Sequence, residues 1–325
     1  MILVTGGAGY VGSHIAAKLS EDGRAAAILD NISCGHKEAA RGLKLYEGDI
    51  RDEAFLDKVF ETEKIDAVIH FAANSLVGES VENPLKYYDN NVGGAISLVR
   101  AMVRHDVKKI VFSSSAAVYG EPERVPILED DRKDPTNPYG ETKLAIERLL
   151  KWSDRAYGIK YAALRYFNVA GARDDIGIGE DHSPETHLIP LVIQAAMGKR
   201  DKIMIFGTDY PTPDGTCIRD YIDVRDLASA HVLALDYLSA GGASEAFNLG
   251  YGTGFSVREI IEVTKKVSGV DFKVETGQRR AGDPAVLVAS PEKAKKVLGF
   301  KPEYDDIEKI VASAWRWHSL HPNGF

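Results

Sequence analysis

Cysteine is nearly missing from this sequence: Cys34 and Cys217 are the only two among 325 residues. They form no metal-type pair and no disulfide framework. A reduced, cytoplasmic compartment is therefore expected. Long hydrophobic runs are missing as well. No stretch reaches the roughly eighteen apolar residues that a membrane span needs. Positive charge is in the minority, with 40 Lys and Arg against 48 Asp and Glu and a net charge of −8. No nucleic-acid surface is expected from that balance. The first residues already read as a strand, so no cleaved leader is expected. Internal repeats and low-complexity tracts are lacking too.

What remains suits one large domain or two. Hydrophobic residues make up 44% of the chain, enough for a sizeable core. Strand and helix patterns alternate through the first half. Strands are expected at 1–4, 25–29, 43–47, 67–71, 109–112 and 161–165, with helices at 53–60, 84–104 and 138–157. Continuous apolar runs such as Ala67 to Phe71 indicate strands buried on both faces. This alternation predicts an α/β fold: a doubly wound parallel sheet of Rossmann type with helices on both sides. The second half is less regular, with helices expected at 188–197, 224–238, 257–267 and 307–317 and an extended stretch at 203–206. Residues 1–170 are assigned to a dinucleotide domain and 171–325 to a smaller mixed α/β substrate domain. A segment near 217–240 is expected to return to the first.

The richest signal is a glycine-bearing turn. The strand ending at Val4 runs into Gly6, Gly9 and Gly12, and a helix follows at once. A dinucleotide pyrophosphate needs that arrangement: a tight turn, close backbone approach, and a helix N-terminus packed near the strand. The spacing is G-x-x-G-x-x-G, and glycines alone say little. The second strand, however, ends in Asp30. An acid there accepts hydrogen bonds from ribose hydroxyls and repels a 2′-phosphate, which predicts NAD and not NADP.

Tyr139 and Lys143 are one helical turn apart on the expected 138–157 helix, with Asn137 as N-cap and Pro138 at the first position. A nearby ammonium and the helix N-terminus are both expected to bring the phenol, at about 10 when unperturbed, toward the range of a working base. Such pairs are common on solvated faces. What sharpens this one is Ser113-Ser114-Ser115 at the end of a buried strand, where ligands sit in this architecture.

On these residues the chain resembles the extended short-chain dehydrogenases/reductases and, within them, the UDP-glucose 4-epimerases. The likeness spans essentially the whole sequence. It rests on Thr5-Gly6-Gly7-Ala8-Gly9-Tyr10-Val11-Gly12, Leu29-Asp30-Asn31, Gly48-Asp49-Ile50, His70-Phe71-Ala72-Ala73 and Tyr87-Tyr88-Asp89-Asn90-Asn91. It continues through Ser113-Ser114-Ser115-Ala116, Asn137-Pro138-Tyr139-Gly140-Glu141-Thr142-Lys143 and Arg165-Tyr166-Phe167-Asn168. The more specific matches come later: Phe206-Gly207, Asp214-Gly215-Thr216, Arg219-Asp220-Tyr221, Asn248-Leu249-Gly250 and Arg279-Arg280-Ala281-Gly282-Asp283.

The resemblance implies NAD-dependent interconversion of UDP-glucose and UDP-galactose, through hydride loss from sugar C4 and a 4-keto intermediate. It implies that Ser115, Tyr139 and Lys143 are catalytic. Gly6, Gly9, Tyr10, Val11, Gly12, Asp30, Asn31, Ser33, Cys34, Gly35, Asp49, Ile50, Phe71, Ala72, Ala73, Asn90 and Tyr166 would line the cofactor, together with the catalytic three. Asn168, His187, Leu188, Phe206, Arg219, Arg280, Asp283 and Leu287 would meet the UDP-sugar beside Ser115 and Tyr139. The two arginines make independent sense, because planar guanidinium groups suit a diphosphate.

Departures from the family pattern touch Ala73, Ser75, Ala117, His187 and Leu287. Leu287 stands where the resemblance places a limit on sugar size, so acceptance of N-acetylated or uronic sugars stays open. A dehydratase would want an acid beside the strand-end hydroxyl, where this chain has Ala116 and Ala117. Another extended-family 4-epimerase, on UDP-N-acetylglucosamine or UDP-glucuronate, is the nearest alternative. A non-catalytic NAD sensor is the more distant one. A homodimer is expected. His182 and His187, with Asp181 and Glu185 nearby, match no recognised ligand spacing and read as a polar loop, so no metal is expected.

Overall fold

Leu3 and Val4 show how the core is divided. Adjacent in one strand, they point to opposite faces, and each is fully buried in a different apolar cluster. Val68 and Ile69 repeat the pattern one strand away. A sheet covered on both sides explains why these strands read as continuous hydrophobic runs.

The computed structural model describes residues 1–280 and 283–325. Strands β1 (Ile2–Thr5), β2 (Ala26–Asp30) and β3 (Lys44–Glu47) alternate with helices α1 (Tyr10–Glu21) and α2 (Glu53–Glu63). Next come β4 (Ala67–His70), α3 (Val77–Glu82), α4 (Pro84–Tyr87), α5 (Gly94–Arg104), β5 (Lys109–Ser115), α6 (Pro138–Tyr157) and β6 (Lys160–Tyr166). The second half contains β7 (Asn168–Ala170), α7 (Leu188–Ala196), β8 (Ile203–Phe206), β9 (Ile218–Arg219), β10 (Tyr221–Asp223), α8 (Val224–Ser239) and β11 (Glu245–Leu249). It closes with β12 (Phe255–Ser256), α9 (Val257–Ser268), β13 (Val274–Gly277), β14 (Val286–Leu287) and α10 (Ile307–Leu320).

Seven strands form one sheet in the order β11-β6-β5-β4-β1-β2-β3, and every pairing is parallel. The order runs outward in one direction from β1 and in the other from β4. A crevice therefore opens beyond the carboxyl ends of those two strands, where ligands bind in such sheets. Helices α1 and α8 bury Ile15, Leu19, Leu227 and Leu235 on one face. Helices α2, α5 and α6 bury Leu56, Phe60, Leu98, Met102, Ile146 and Leu150 on the other. The sheet's last strand, β11, comes from beyond the 217–240 segment expected to return. Short strands and helices α7, α9 and α10 form separate cores at the carboxyl end.

Two expected elements differ from what is observed. Residues 84–104 are not one helix. A π-type turn over Tyr88–Gly93 separates α4 from α5. The wide turn buries the Asn91 side chain, which accepts from Asn74 N (2.8 Å) and donates to Asn74 O (3.0 Å) and Thr142 Oγ1 (3.1 Å). Tertiary hydrogen bonds thus outweigh the helical periodicity there. Strand β5 also extends past Phe112 through Ser115, because β6 pairs with it to the register Ser115–Tyr166. All three serines are therefore strand residues.

Candidate active site

The site begins with the turn after β1. Gly6 has φ +72°, and a Cβ there would come within 2.5 Å of Ala72 N. A Cβ on Gly12 would lie 2.1 Å from Gly6 O. Both positions exclude any side chain, so the backbone and the first turn of α1 stay bare toward the crevice. Asp30 closes the turn: its carboxylate accepts from Ala8 N (3.0 Å) and Ile32 N (2.9 Å). Burial pushes the Asp30 carboxyl up, and the two amides pull it back. A cradle of bare amides with a carboxylate at the next strand end fits a dinucleotide.

A single cavity of about 800 Å³ runs from this cradle across the sheet. Its walls include Gly6, Gly9, Tyr10, Val11, Gly12, Asp30, Asn31, Ser33, Cys34, Gly35, Asp49, Ile50, Phe71, Ala72, Ala73, Asn90 and Tyr166. Ser115, Tyr139 and Lys143 lie in the same wall, as do Asn168, His187, Arg219, Asp283 and Leu287.

Three expected substrate positions are not brought to that wall. Leu188 packs into the apolar cores around α7. Arg280 lies over the Phe206 ring, 4.1 Å from its centroid, and neither lines the cavity. Phe206 ends β8 and Arg280 follows β13, yet the two are adjacent in space, so the pair satisfies itself. Ala281 and Gly282, part of the same expected motif, lie outside the described residues.

Helix α6 positions the catalytic candidates. Asn137 caps it, its side chain accepting from Gly140 N at 2.9 Å, with Pro138 in the first turn. Tyr139 and Lys143 follow on one face. Lys143 Nζ is buried and donates to Ser113 O at 2.7 Å. It sits 5.1 Å from the Phe112 ring centroid and 5.7 Å from that of Tyr139. Ser115 Oγ accepts from Ala117 N at 3.1 Å.

The electrostatics correct one expectation. Burial pushes the Tyr139 phenol up, and a hydrogen bond with Ser115 only partly offsets it. Burial likewise pushes Lys143 down to about 7. Both groups sit in one water-poor wall, so loss of hydration outweighs their mutual help, and the charged forms are disfavoured together.

Sequence reasoning missed the brace behind these residues. Arg165 pairs with Glu147 through two bonds of 2.8 and 2.6 Å, and Glu147 also accepts from Ser114 Oγ at 2.6 Å. Arg165 further donates to Tyr119 OH at 2.8 Å, and Tyr119 OH donates to Asn248 at 2.6 Å. This buried network ties β5, β6, α6 and β11 together at their functional ends. One signal was available: Glu147 is one turn beyond Lys143 on the same face of α6.

The polar loop before α7 also gathers more than its spacing suggested. Glu180, His182, Glu185 and His187 place ligand-type atoms within 4.8 Å of one another. Asp181 points elsewhere, toward His36 and the amide of Phe325. Although burial opposes it, the two glutamates hold His182 up to about 9 and His187 up to about 10.

The chain is similar to known proteins along its length. The NAD dependent epimerase/dehydratase family matches residues 2–250. The UDP-glucose 4-epimerase of Halalkalibacterium halodurans is 57% identical over 324 residues, covering 100% of this chain and 97% of that protein. A crystal structure of a UDP-glucose 4-epimerase superposes with a TM-score of 0.97 at 54% identity, over 100% of this chain and 99% of that one. The Bifidobacterium longum UDP-glucose 4-epimerase in complex with NAD⁺ and UDP superposes with a TM-score of 0.93 at 40% identity, over 100% and 99%.

Proposed function

The chain belongs to the NAD dependent epimerase/dehydratase family, and from that premise we propose that it interconverts UDP-glucose and UDP-galactose by inverting sugar C4, with NAD as cofactor. The observation that carries the reading is the single cavity. The glycine cradle and Asp30, the polar groups Asn168, Arg219 and Asp283, and the set Ser115, Tyr139 and Lys143 all line it.

The cofactor supplies a reversible hydride acceptor at the sugar carbon, so a 4-ketone can be reduced from either face. The remaining roles fall to side chains. Tyr139 takes the proton of the 4-hydroxyl and returns it. Ser115, hydrogen-bonded to Tyr139, orients that proton. Lys143 holds the cofactor's ribose hydroxyls from the floor of the cavity. Arg219, whose Nη1 rests on the carbonyls of Ile218 and Pro284 at 2.9 Å each, keeps a guanidinium near Asp283 for the diphosphate. Anchoring UDP while gripping the sugar weakly lets the ketone turn over between the two hydride transfers.

Two further readings belong to this proposal. A second copy covers α5 and α6, where Trp152 is 63% exposed and Val103 and Leu149 are only partly buried. The compartment is the cytoplasm, in keeping with two unpaired cysteines, Cys34 exposed and Cys217 buried. No helix among the described residues is long and apolar enough to cross a membrane.

The test is direct. Purified protein is incubated with UDP-galactose and no added NAD, and the nucleotide sugars are separated. UDP-glucose should accumulate to equilibrium. Its absence, in protein reconstituted with NAD, overturns the reading.

A further inference from the structure

We propose that Glu180, His182, Glu185 and His187 form a binding site for a zinc-class divalent cation, which fastens the loop before α7 to the cavity wall. The site is separate from the proton-transfer machinery, and the inference does not rest on the reaction assigned above.

The geometry is that of a four-ligand shell. His187 Nδ1 lies 2.9 Å from Glu180 Oε1 and 3.0 Å from Glu185 Oε1. His182 Nδ1 lies 3.3 Å from Glu180 Oε1 and 3.7 Å from Glu185 Oε2. Tetrahedral zinc with bonds of about 2.0 to 2.1 Å requires ligand atoms about 3.3 Å apart. These four separations bracket that value, and one ligand atom from each residue lies within 4.8 Å of the others, so side-chain rotation would close the shell.

A second observation points the same way. His182 Nδ1 is buried and makes no aligned hydrogen bond, although two carboxylates are close. An imidazole nitrogen aimed at acceptors without a proper bond to any of them is what a ligand atom looks like without its ion. The two glutamates now hold the imidazoles protonated, and a divalent cation would take the place of those protons between the same four side chains. Imidazole paired with carboxylate suits zinc better than calcium or magnesium, which favour all-oxygen shells.

The loop is already held from its outer side. Asp181 reaches His36 Nε2 at 3.3 Å and accepts from Phe325 N at 3.1 Å. The cation would hold the inner side. His182, Ser183, Pro184 and His187 all line the main cavity, and α7 begins at Leu188. The cation would therefore set the shape of one cavity wall without touching Tyr139 or Ser115.

The experiment uses the full chain without a histidine tag. Protein is dialysed against a chelator, exposed to ZnCl₂, desalted, and measured for metal by mass spectrometry. In parallel, CoCl₂ replaces zinc and the visible spectrum is recorded. We expect about one zinc per chain and intense cobalt d–d bands of a four-coordinate site. Glu185→Gln, close in size and polarity, should lose most of the metal and the bands, and His182→Ala should do the same. Circular dichroism confirms that each variant is folded, and the glutamine variant stands in if the alanine variant is not. Metal uptake far below one per chain, uptake equal in wild type and both variants, or weak six-coordinate cobalt bands would each overturn the proposal.

Discussion

Lys143 Nζ donates to the carbonyl of Ser113 and lies 5.7 Å from the Tyr139 ring centroid. The two side chains share one face of α6, yet the ammonium is bonded to strand β5 and not to the phenol. Burial sets their protonation: the phenol is pushed up and the amine down to about 7. Burial therefore disfavours the charged forms of both groups together.

Tyr139→Phe should lower turnover by about 10² to 10⁴, the usual worth of a positioned acid–base group. UDP binding by calorimetry should stay within a few-fold of wild type, because the ring remains in place. Near-normal turnover would remove Tyr139 from the reaction.

Denatured protein should release NAD and no NADP. Asp30→Ala should weaken NAD by about 10- to 100-fold, as expected for losing a charged hydrogen-bond acceptor worth about 1.5 to 3 kcal/mol. NADP should weaken less, so the preference ratio should shrink. A ratio unchanged by the substitution would show that the carboxylate serves only the Ala8 and Ile32 amides.

Light scattering should give twice the 35.5 kDa chain mass at micromolar concentration. On α5, Leu98, Val99 and Met102 face the core, and on α6 Ile146 and Leu150 do. Trp152 does not, and Leu85 nearby in the chain's α4 is 80% exposed. Trp152→Glu should loosen the dimer about 30-fold or more, the cost of losing a buried aromatic anchor of about 2 kcal/mol. A wild-type monomer mass sinks the prediction.

Leu287 sits in β14 beside Arg219 in register and packs against the Val118–Leu144 cluster. Activity on N-acetylated UDP-sugars should be weak. Leu287→Tyr should abolish it while sparing UDP-glucose, and Leu287→Ala should raise it. The ratio of the two turnovers in three proteins is the measurement, and an unchanged ratio would place the size limit elsewhere.

Stability should fall as pH drops below about 6.5. Burial lowers His14 and His231 to about 4 and His70 to about 3. The unfolded chain takes up these protons first, so the native state is favoured fully above the ordinary histidine value and loses ground as pH falls toward the folded values. Each histidine adds on the order of 1 kcal/mol per pH unit to the fall in that window. Urea midpoints at pH 7.5 and 5 test this, and His231→Gln should remove about a third of the slope. Equal midpoints would contradict it.

Much of the site was readable in one dimension because its requirements are local. A glycine with φ +72° and a helix that begins at once need only neighbouring residues. So does the Asn137 cap, and so does the spacing of Tyr139 and Lys143 on α6. Where reading failed, the deciding partner was far along the chain. The π-type turn at Tyr88–Gly93 depends on Asn74 and Thr142. Glu147 becomes important only when Arg165 arrives from β6.

The sequence by itself determined the alternating architecture, the dinucleotide turn and the residue types of the candidate site, since periodicity, backbone freedom and i, i+4 spacing act within a few residues. Tertiary structure alone decided which groups share water-poor space. It brought β5 and α6 together so that burial, more than the nearby charge, sets Tyr139 and Lys143. It also converged Glu180, His182, Glu185 and His187 on one point, because hydration and distance are properties of the packed molecule and not of the chain.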